Sequence, residues 1–381
     1  MISAMTNICR KHLHLQSLTT VLIVLYLTAS IVEQQLRYDP VDDIAIDCGF
    51  SGNNTSLDPR SWIGDINSKY FSQSEGRNKD SVTLEASEQQ IVDMVPYRTA
   101  RLSFSEFTYY HVSLTADALG WGAIKREFCV TAEQSSLNMK FTPSSLISGA
   151  FAFVNGIEVV SMPSNLYYSE AGDNEIRLLE WSDFFNLENS TALETMYRIN
   201  IGGNAISPLY DTGMFRQWDK EDDYLTVEGV SALPVLTTST DLKFRDNLSS
   251  YAAPADVYKT ARSTGDVRKE KNLVRSYNLT WEFPVDSGFE HNFDVVLYSG
   301  GQYKPYFRDY VDLKFGEGGQ KKINLSVALQ ANPIDANTGY VDAILNGLEI
   351  IKLSDTTGNL AGPNPDRIQK VVSNISPSPK K

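Results

Sequence analysis

Ala152-Phe-Val-Asn-Gly-Ile-Glu-Val-Val160 and Ala343-Ile-Leu-Asn-Gly-Leu-Glu-Ile-Ile351 are nearly the same phrase at two places in one chain. In each, an Asn-Gly pair is flanked by apolar, mostly β-branched residues. Asn-Gly suits the two positive-φ positions of a type I′ turn, so each stretch is expected to run strand, tight turn, strand, with Asn155, Gly156, Asn346 and Gly347 at the turns. The agreement continues upstream. Tyr97-Arg-Thr-Ala-Arg101 returns as Tyr258-Lys-Thr-Ala-Arg262, and Leu137, Met139 and Phe141 alternate with polar residues as Ile323, Leu325, Val327 and Leu329 do. Three landmarks in one order mark a repeat of whole-domain size. Period-two alternation buries one face of a strand and wets the other, which predicts antiparallel sheets stacked as a sandwich. From Tyr97 to Asn155 is 58 positions and from Tyr258 to Asn346 is 88, so the first copy is shorter by 30.

The 381 residues, 42% hydrophobic and 21% charged, suffice for two ordinary cores. At the N-terminus, Arg10 and Lys11 precede an apolar run from Leu18 to Ala29, followed by small residues. That layout is expected of a signal peptide over residues 1–30, with a signal anchor as the alternative. Removing it takes the net charge from −13 to −15. Such acidity disfavours nucleic acid and anionic membranes and steers basic partners inward, or serves only solubility. No later segment is apolar enough to span a membrane. A secreted or apoplastic location is therefore expected, with Asn-x-Ser/Thr glycan candidates at Asn53, Asn54, Asn189, Asn247, Asn278 and Asn324, and a weaker one at Asn374. Cys9 leaves with the leader. Cys48 and Cys129 then stand either as a disulfide or as two buried thiols.

Catalytic signatures are missing. His111 and His291 are the histidines outside the leader and lie in different repeats, and there is no Gly-x-Ser-x-Gly, His-Glu-x-x-His or Cys-x-x-Cys motif. Gly316-Glu-Gly-Gly319 lacks the spacing of a phosphate cradle and is expected to be a loop. No kinase motif occurs, and neither a cofactor nor a metal site is expected. The densest acid run, Asp219, Glu221, Asp222 and Asp223, lies between Trp218 and Tyr224. Carboxylates beside aromatics suit sugar binding or hydrolysis, so Trp218, Asp219, Asp223 and Tyr224 are the candidate ligand contacts; a solvated loop is the competing reading.

Several ordered motifs carry a family resemblance: Ala150 to Pro163, Tyr197-Arg-Ile-Asn-Ile-Gly-Gly203, Asp211-Thr-Gly-Met-Phe-Arg-Gln-Trp218, Tyr258 to Arg262, Tyr277-Asn-Leu-Thr-Trp281 with Asp286-Ser-Gly-Phe289, Gly358 to Pro365, and the opening Ile46-Asp-Cys-Gly49 with Trp62 to Asp65. Together they resemble the extracellular part of plant FERONIA-type receptor-like kinases. The resemblance implies an all-β chain of two tandem malectin-like antiparallel β-sandwich domains, at 42–205 and 243–365, joined by a connection at 206–242 and followed by a Pro-rich polar tail at 366–381. It implies a non-catalytic module on the outer face of the plasma membrane that binds small basic secreted peptides with a GPI-anchored co-receptor, and in some members cell-wall pectin. The processes implied are wall sensing, growth and fertilisation. A secreted carbohydrate-binding or wall-structural protein is the alternative. The chain is expected to depart from the family in lacking transmembrane and kinase parts, and in lacking interior strands between Tyr110 and Thr115 and between Phe289 and Tyr303.

Overall fold

The structure, a computed structural model, describes residues 37–71, 82–85, 95–103, 125–132, 137–141, 152–170, 176–178, 184–226, 235–239, 241–244, 247–264, 279–285, 310–311, 323–329, 343–355, 358 and 360. The leader, the tail, both histidines, the glycine loop and both expected deletions lie outside the described residues.

The first repeat opens with β1 (Asp43–Asp47), β2 (Asn53–Thr55), β3 (Ser61–Gly64), β4 (Val82–Glu85), β5 (Thr99–Ser103), β6 (Glu127–Cys129), β7 (Ala152–Val154), β8 (Gly156–Val160) and β9 (Arg177–Leu178). The second opens with β10 (Leu193–Asn200), then β11 (Asp219–Lys220), β12 (Val235–Thr237), helices α1 (Asn247–Ala252) and α2 (Ala255–Lys259), β13 (Thr260–Ser263), β14 (Leu279–Val285), β15 (Tyr310–Val311), β16 (Ile323–Leu329), β17 (Ile344–Leu345) and β18 (Gly347–Leu353). The chain is mostly strand, as the alternation predicts. Most pairs are antiparallel, with short parallel pairings of β1 with β3, β10 with β11 and β9 with β15.

Alternation does its expected work in β14. Leu279, Trp281 and Phe283 point inward and are fully buried, while Thr280 is half-buried and Glu282 and Pro284 are exposed. The buried row packs with Ile199 and Ile201, and with Leu348 and Ile350 of β18, so the pair β14-β16 covers the sheet β11-β10-β18 as a sandwich. In the first repeat Leu137 to Phe141 form no strand, and Leu137 and Met139 are exposed. Their alternation therefore has no counterpart to β16 at that place.

The expected hairpins are not formed. β7 pairs with β5 whereas β8 pairs with β1 in a different sheet, and in the second copy β17 pairs with β13 whereas β18 pairs with β10. None of Asn155, Gly156, Asn346 and Gly347 has positive φ. Each Asn-Gly is a corner at which the chain crosses from one sheet to another. Its Asn side chain is spent on the neighbouring strand: Asn155 Nδ2 donates to the Thr99 carbonyl at 2.7 Å, and Asn346 Nδ2 to the carbonyls of Thr260 at 2.6 Å and Tyr258 at 3.1 Å. Glycine follows because there is no room for a Cβ, which would lie 2.3 Å from Pro96 Cγ at Gly156 and 2.5 Å from Val257 Cγ1 at Gly347. Asn346→Ala leaves two carbonyls without this donor and is expected to cost about 1–3 kcal/mol. Asn155→Ala, with one carbonyl involved, should shift the urea midpoint less.

The pairings of β10 repeat those of β1. β10 lies in one sheet with β11 and β18, and its last two residues pair in parallel with Asp219 and Lys220 as the end of β1 pairs with Ile63 and Gly64. β10 also pairs along its first half with β6 of the first repeat, Leu193 opposite Cys129 and Thr195 opposite Glu127, so this strand ties the two repeats together.

Candidate functional site

Equivalent residues build the same buried node in each repeat. Asp65, directly after β3, accepts from Gly49 N at 2.8 Å and from Arg101 Nη2 at 2.8 Å. Glu221, directly after β11, accepts from Gly202 N at 2.8 Å, from Arg262 Nε at 2.6 Å and from Trp281 Nε1 at 2.8 Å. These acids follow Trp62 and Trp218 at the same spacing, and the arginines end the two copies of the Tyr-x-Thr-Ala-Arg motif. A buried carboxylate bonded to a guanidinium and a backbone N–H is satisfied in place and has no spare valence for a substrate. Two of the sequence landmarks, the Asn-Gly corner and the Tyr-x-Thr-Ala-Arg strand, thus meet at one scaffold in each repeat.

That scaffold divides the candidate ligand contacts. Trp218 is 2% exposed and packs with Ile206, Ala253 and Val257, so it cannot meet a ligand. Glu221 is equally buried. Asp219 and Asp223 are exposed; Asp219 accepts from Gln217 Nε2, and Lys220 pairs with Asp222. Tyr224 is half-buried, stacks on Phe283 at a 4.8 Å centroid distance and meets Tyr197 edge-on at 5.4 Å. Burial, and then Asp219 and Asp223, push its phenol pKa up. The surface left to a ligand is therefore Asp219, Asp223 and the rim of Tyr224.

A second polar cluster, unmarked in the sequence, joins the two repeats. Arg198 of β10 forks onto Glu127 of β6, with Nη1 and Nη2 at 3.0 and 2.7 Å from its oxygens, and reaches Glu349 of β18 at 2.6 Å through Nε. Burial opposes the Glu127 charge, but Arg198 outweighs it and holds the carboxyl low. Tyr167 donates to Glu349 at 3.1 Å and accepts from Arg198 at 3.3 Å and Arg216 at 3.2 Å. Burial pushes its hydroxyl up to about 12, which keeps it a donor. Arg216 is 2% exposed: it grips Asp211 through Nε at 2.9 Å and Nη2 at 3.0 Å, and donates to the last carbonyls of α1, those of Tyr251 and Ala252. Those carbonyls have no partner within the helix, and the guanidinium supplies one. Phe215 beside it lies under Arg60, whose guanidinium sits 4.3 Å from the ring centre.

Cys48 and Cys129 are free thiols, so the disulfide is not formed. Burial pushes the Cys48 thiol up to about 12 and leaves it unreactive. Cys129 Sγ lies 3.6 Å from Met162 Sδ. Of the glycan candidates, Asn53 and Asn189 are exposed. Asn54 is half-buried, its Oδ1 accepts from Thr55 N, and the hydroxyl of its Ser56 is buried against Asp58 and Trp62 Nε1. Asn247 begins α1 and Asn324 lies in β16, but their side chains, like Asn278 and Asn374, lie outside the described residues. Among the described residues no group of His, Cys, Asp and Glu is arranged to hold a metal, and no helix is long and apolar enough to cross a membrane.

A family model for the malectin-like domain matches residues 112–353. The receptor-like protein kinase FERONIA of Arabidopsis thaliana is 34% identical over 91% of this chain and 46% of its own. The chain spans about half the length of the curated relatives it matches, and no kinase domain is evident in it. Among solved structures, the plant peptide RALF23 in complex with FER and LLG2 gives a TM-score of 0.68 at 33% identity, covering 86% of this chain and 99% of that one. The ANXUR2 extracellular domain from Arabidopsis thaliana gives 0.68 at 27% identity, with 85% and 99% covered. A duplicated sandwich scaffold, matched over nearly the whole of these extracellular domains and by the family model over residues 112–353, places the chain in the malectin-like domain family, homologous to the ectodomains of the FERONIA and ANXUR receptor-like kinases.

Proposed function

We propose that this chain is a non-catalytic extracellular recognition module of the FERONIA type, which binds a small basic secreted peptide together with a GPI-anchored co-receptor. The observation that carries this is the likeness, across 99% of the solved chain, to an ectodomain whose structure holds the peptide RALF23 and LLG2. The acidity of the chain, at a formal −13, supports a basic ligand by steering it inward. Asp219 and Asp223, exposed beside Tyr224, are the contacts proposed for it. The secreted or apoplastic location expected from the leader belongs to the same proposal.

The test is a pull-down in which the immobilised chain is offered RALF23 with and without LLG2, and pectin separately. Retention of the peptide that depends on LLG2 is the expected result, weakened when Asp219 and Asp223 are replaced by Lys. Pectin binding with no peptide retained would sink the receptor reading in favour of a wall-binding protein.

A further inference from the structure

The two nodes differ at one atom that matters. In the second, Asn200 at the end of β10 accepts from Thr260 Oγ1 at 2.9 Å and donates to the Asn204 carbonyl at 2.8 Å. In the first, the equivalent residue at the end of β1 is Asp47, which accepts from Thr99 Oγ1 at 3.0 Å. Both are 2% exposed. The second node thus holds one acid, Glu221, paired with Arg262, while the first holds two buried acids, Asp47 and Asp65, of which Asp65 is the one paired with Arg101. Among the described residues Asp47 has no ion pair of its own, and a buried carboxylate without a countercharge favours its neutral form.

We propose that Asp47 makes the first repeat acid-stabilised, because a proton on this carboxyl gives the first node the neutral partner that Asn200 gives the second. The groups facing it are Asp65 after β3, Cys48 beside it on β1, Arg101 and Thr99 of β5 and Asn54 of β2. Its partner in the β8 ladder, Gly156, carries no charge. Burial raises the Asp47 carboxyl above its ordinary 3.8; the hydrogen bonds from Thr99 and Asn54 work against this and the charge of Asp65 adds to it. The folded state therefore holds the Asp47 proton more tightly than the unfolded chain does. Stability from this group is greatest below the ordinary value of 3.8, falls as pH rises from there through the raised folded value, and is level above it.

The experiment is a reciprocal exchange, read by urea unfolding from pH 4 to 7.5 and by hydrogen exchange at the Cys48 and Gly49 amides. For Asp47→Asn, the folded-to-unfolded ratio relative to the parent should rise with pH by up to about tenfold per unit within the window and be unchanged near pH 4. Asn200→Asp should do the reverse in the second repeat, weakening it at neutral pH and not in acid. A parent and an Asp47→Asn chain with parallel pH profiles, an Asp47→Asn chain that fails to fold, or an Asn200→Asp chain insensitive to pH would each overturn the proposal.

Discussion

Arg216→Ala should be the most damaging single substitution in the described residues, lowering the unfolding free energy by about 3–5 kcal/mol, the usual cost of breaking a buried pair from one side. The change strips Asp211, whose side chain is fully buried, of both guanidinium bonds, and takes the donor from the Tyr251 and Ala252 carbonyls and from Tyr167. These partners lie in the 211–218 loop, in α1 and in the first repeat, so the loss is shared between the repeats. Arg216→Lys keeps the charge but not the fork and should recover only part of it. The pair also has a pH signature. Burial opposes the Asp211 charge, yet Arg216 and backbone N–H groups outweigh it and hold the carboxyl below 3.8. Its contribution is therefore whole above that value and fades as pH falls through the depressed one, so the gap between parent and variant should narrow in strong acid to what the lost bonds to Tyr251, Ala252 and Tyr167 cost. Urea unfolding of both at neutral pH and below pH 3.8 checks this.

Glu221→Ala should cost about as much, 3–5 kcal/mol by the same one-sided argument, but within the second repeat alone. One carboxylate there serves the Gly202 amide, Arg262 and the indole of Trp281, which is itself at the centre of the β14 core. Trp281 fluorescence should change with the loss, and Glu221→Gln should retain more stability because its amide oxygen can still accept from one of the three. Asp223→Ala, two residues away and exposed, should leave stability within about 0.5 kcal/mol of the parent. A large effect at Asp223 with none at Glu221 would mean that the node is wrongly assigned.

The repeat was legible because its landmarks are short and local: Asn-Gly between apolar runs, and Tyr-x-Thr-Ala-Arg. What they do was less legible. Asn-Gly has a strong turn propensity, but whether its flanking strands pair with each other depends on which neighbours compete for them, and here β5 and β1 take one each, in different sheets. Glycine is needed at these corners for lack of space beside Pro96 and Val257, a constraint that no local pattern announces. The acid run misled in a related way. Glu221 looks like Asp219, Asp222 and Asp223 in a string of carboxylates, although one faces inward and the rest face water. The equal spacing of Trp62 to Asp65 and Trp218 to Glu221 was the available signal, and it identifies Glu221 as structural. The inter-repeat cluster was not legible as a cluster: Arg198, Arg216 and Glu349 lie within quoted motifs, but they and Glu127 and Tyr167 are scattered over the chain and meet only on folding.

The sheet-crossing corner also explains how two copies of so unequal length can share one architecture. Its contacts join the two ends of the intervening chain, Thr99 to Asn155 and Thr260 to Asn346, and place no demand on what lies between. By the loop-closure relation, a span of 88 positions in place of 58 costs only about 0.4 kcal/mol more in chain entropy, less than one of the corner's own hydrogen bonds contributes. A corner anchored in this way is a site where evolution can lengthen or shorten a domain by tens of residues while the frame around it stays in register.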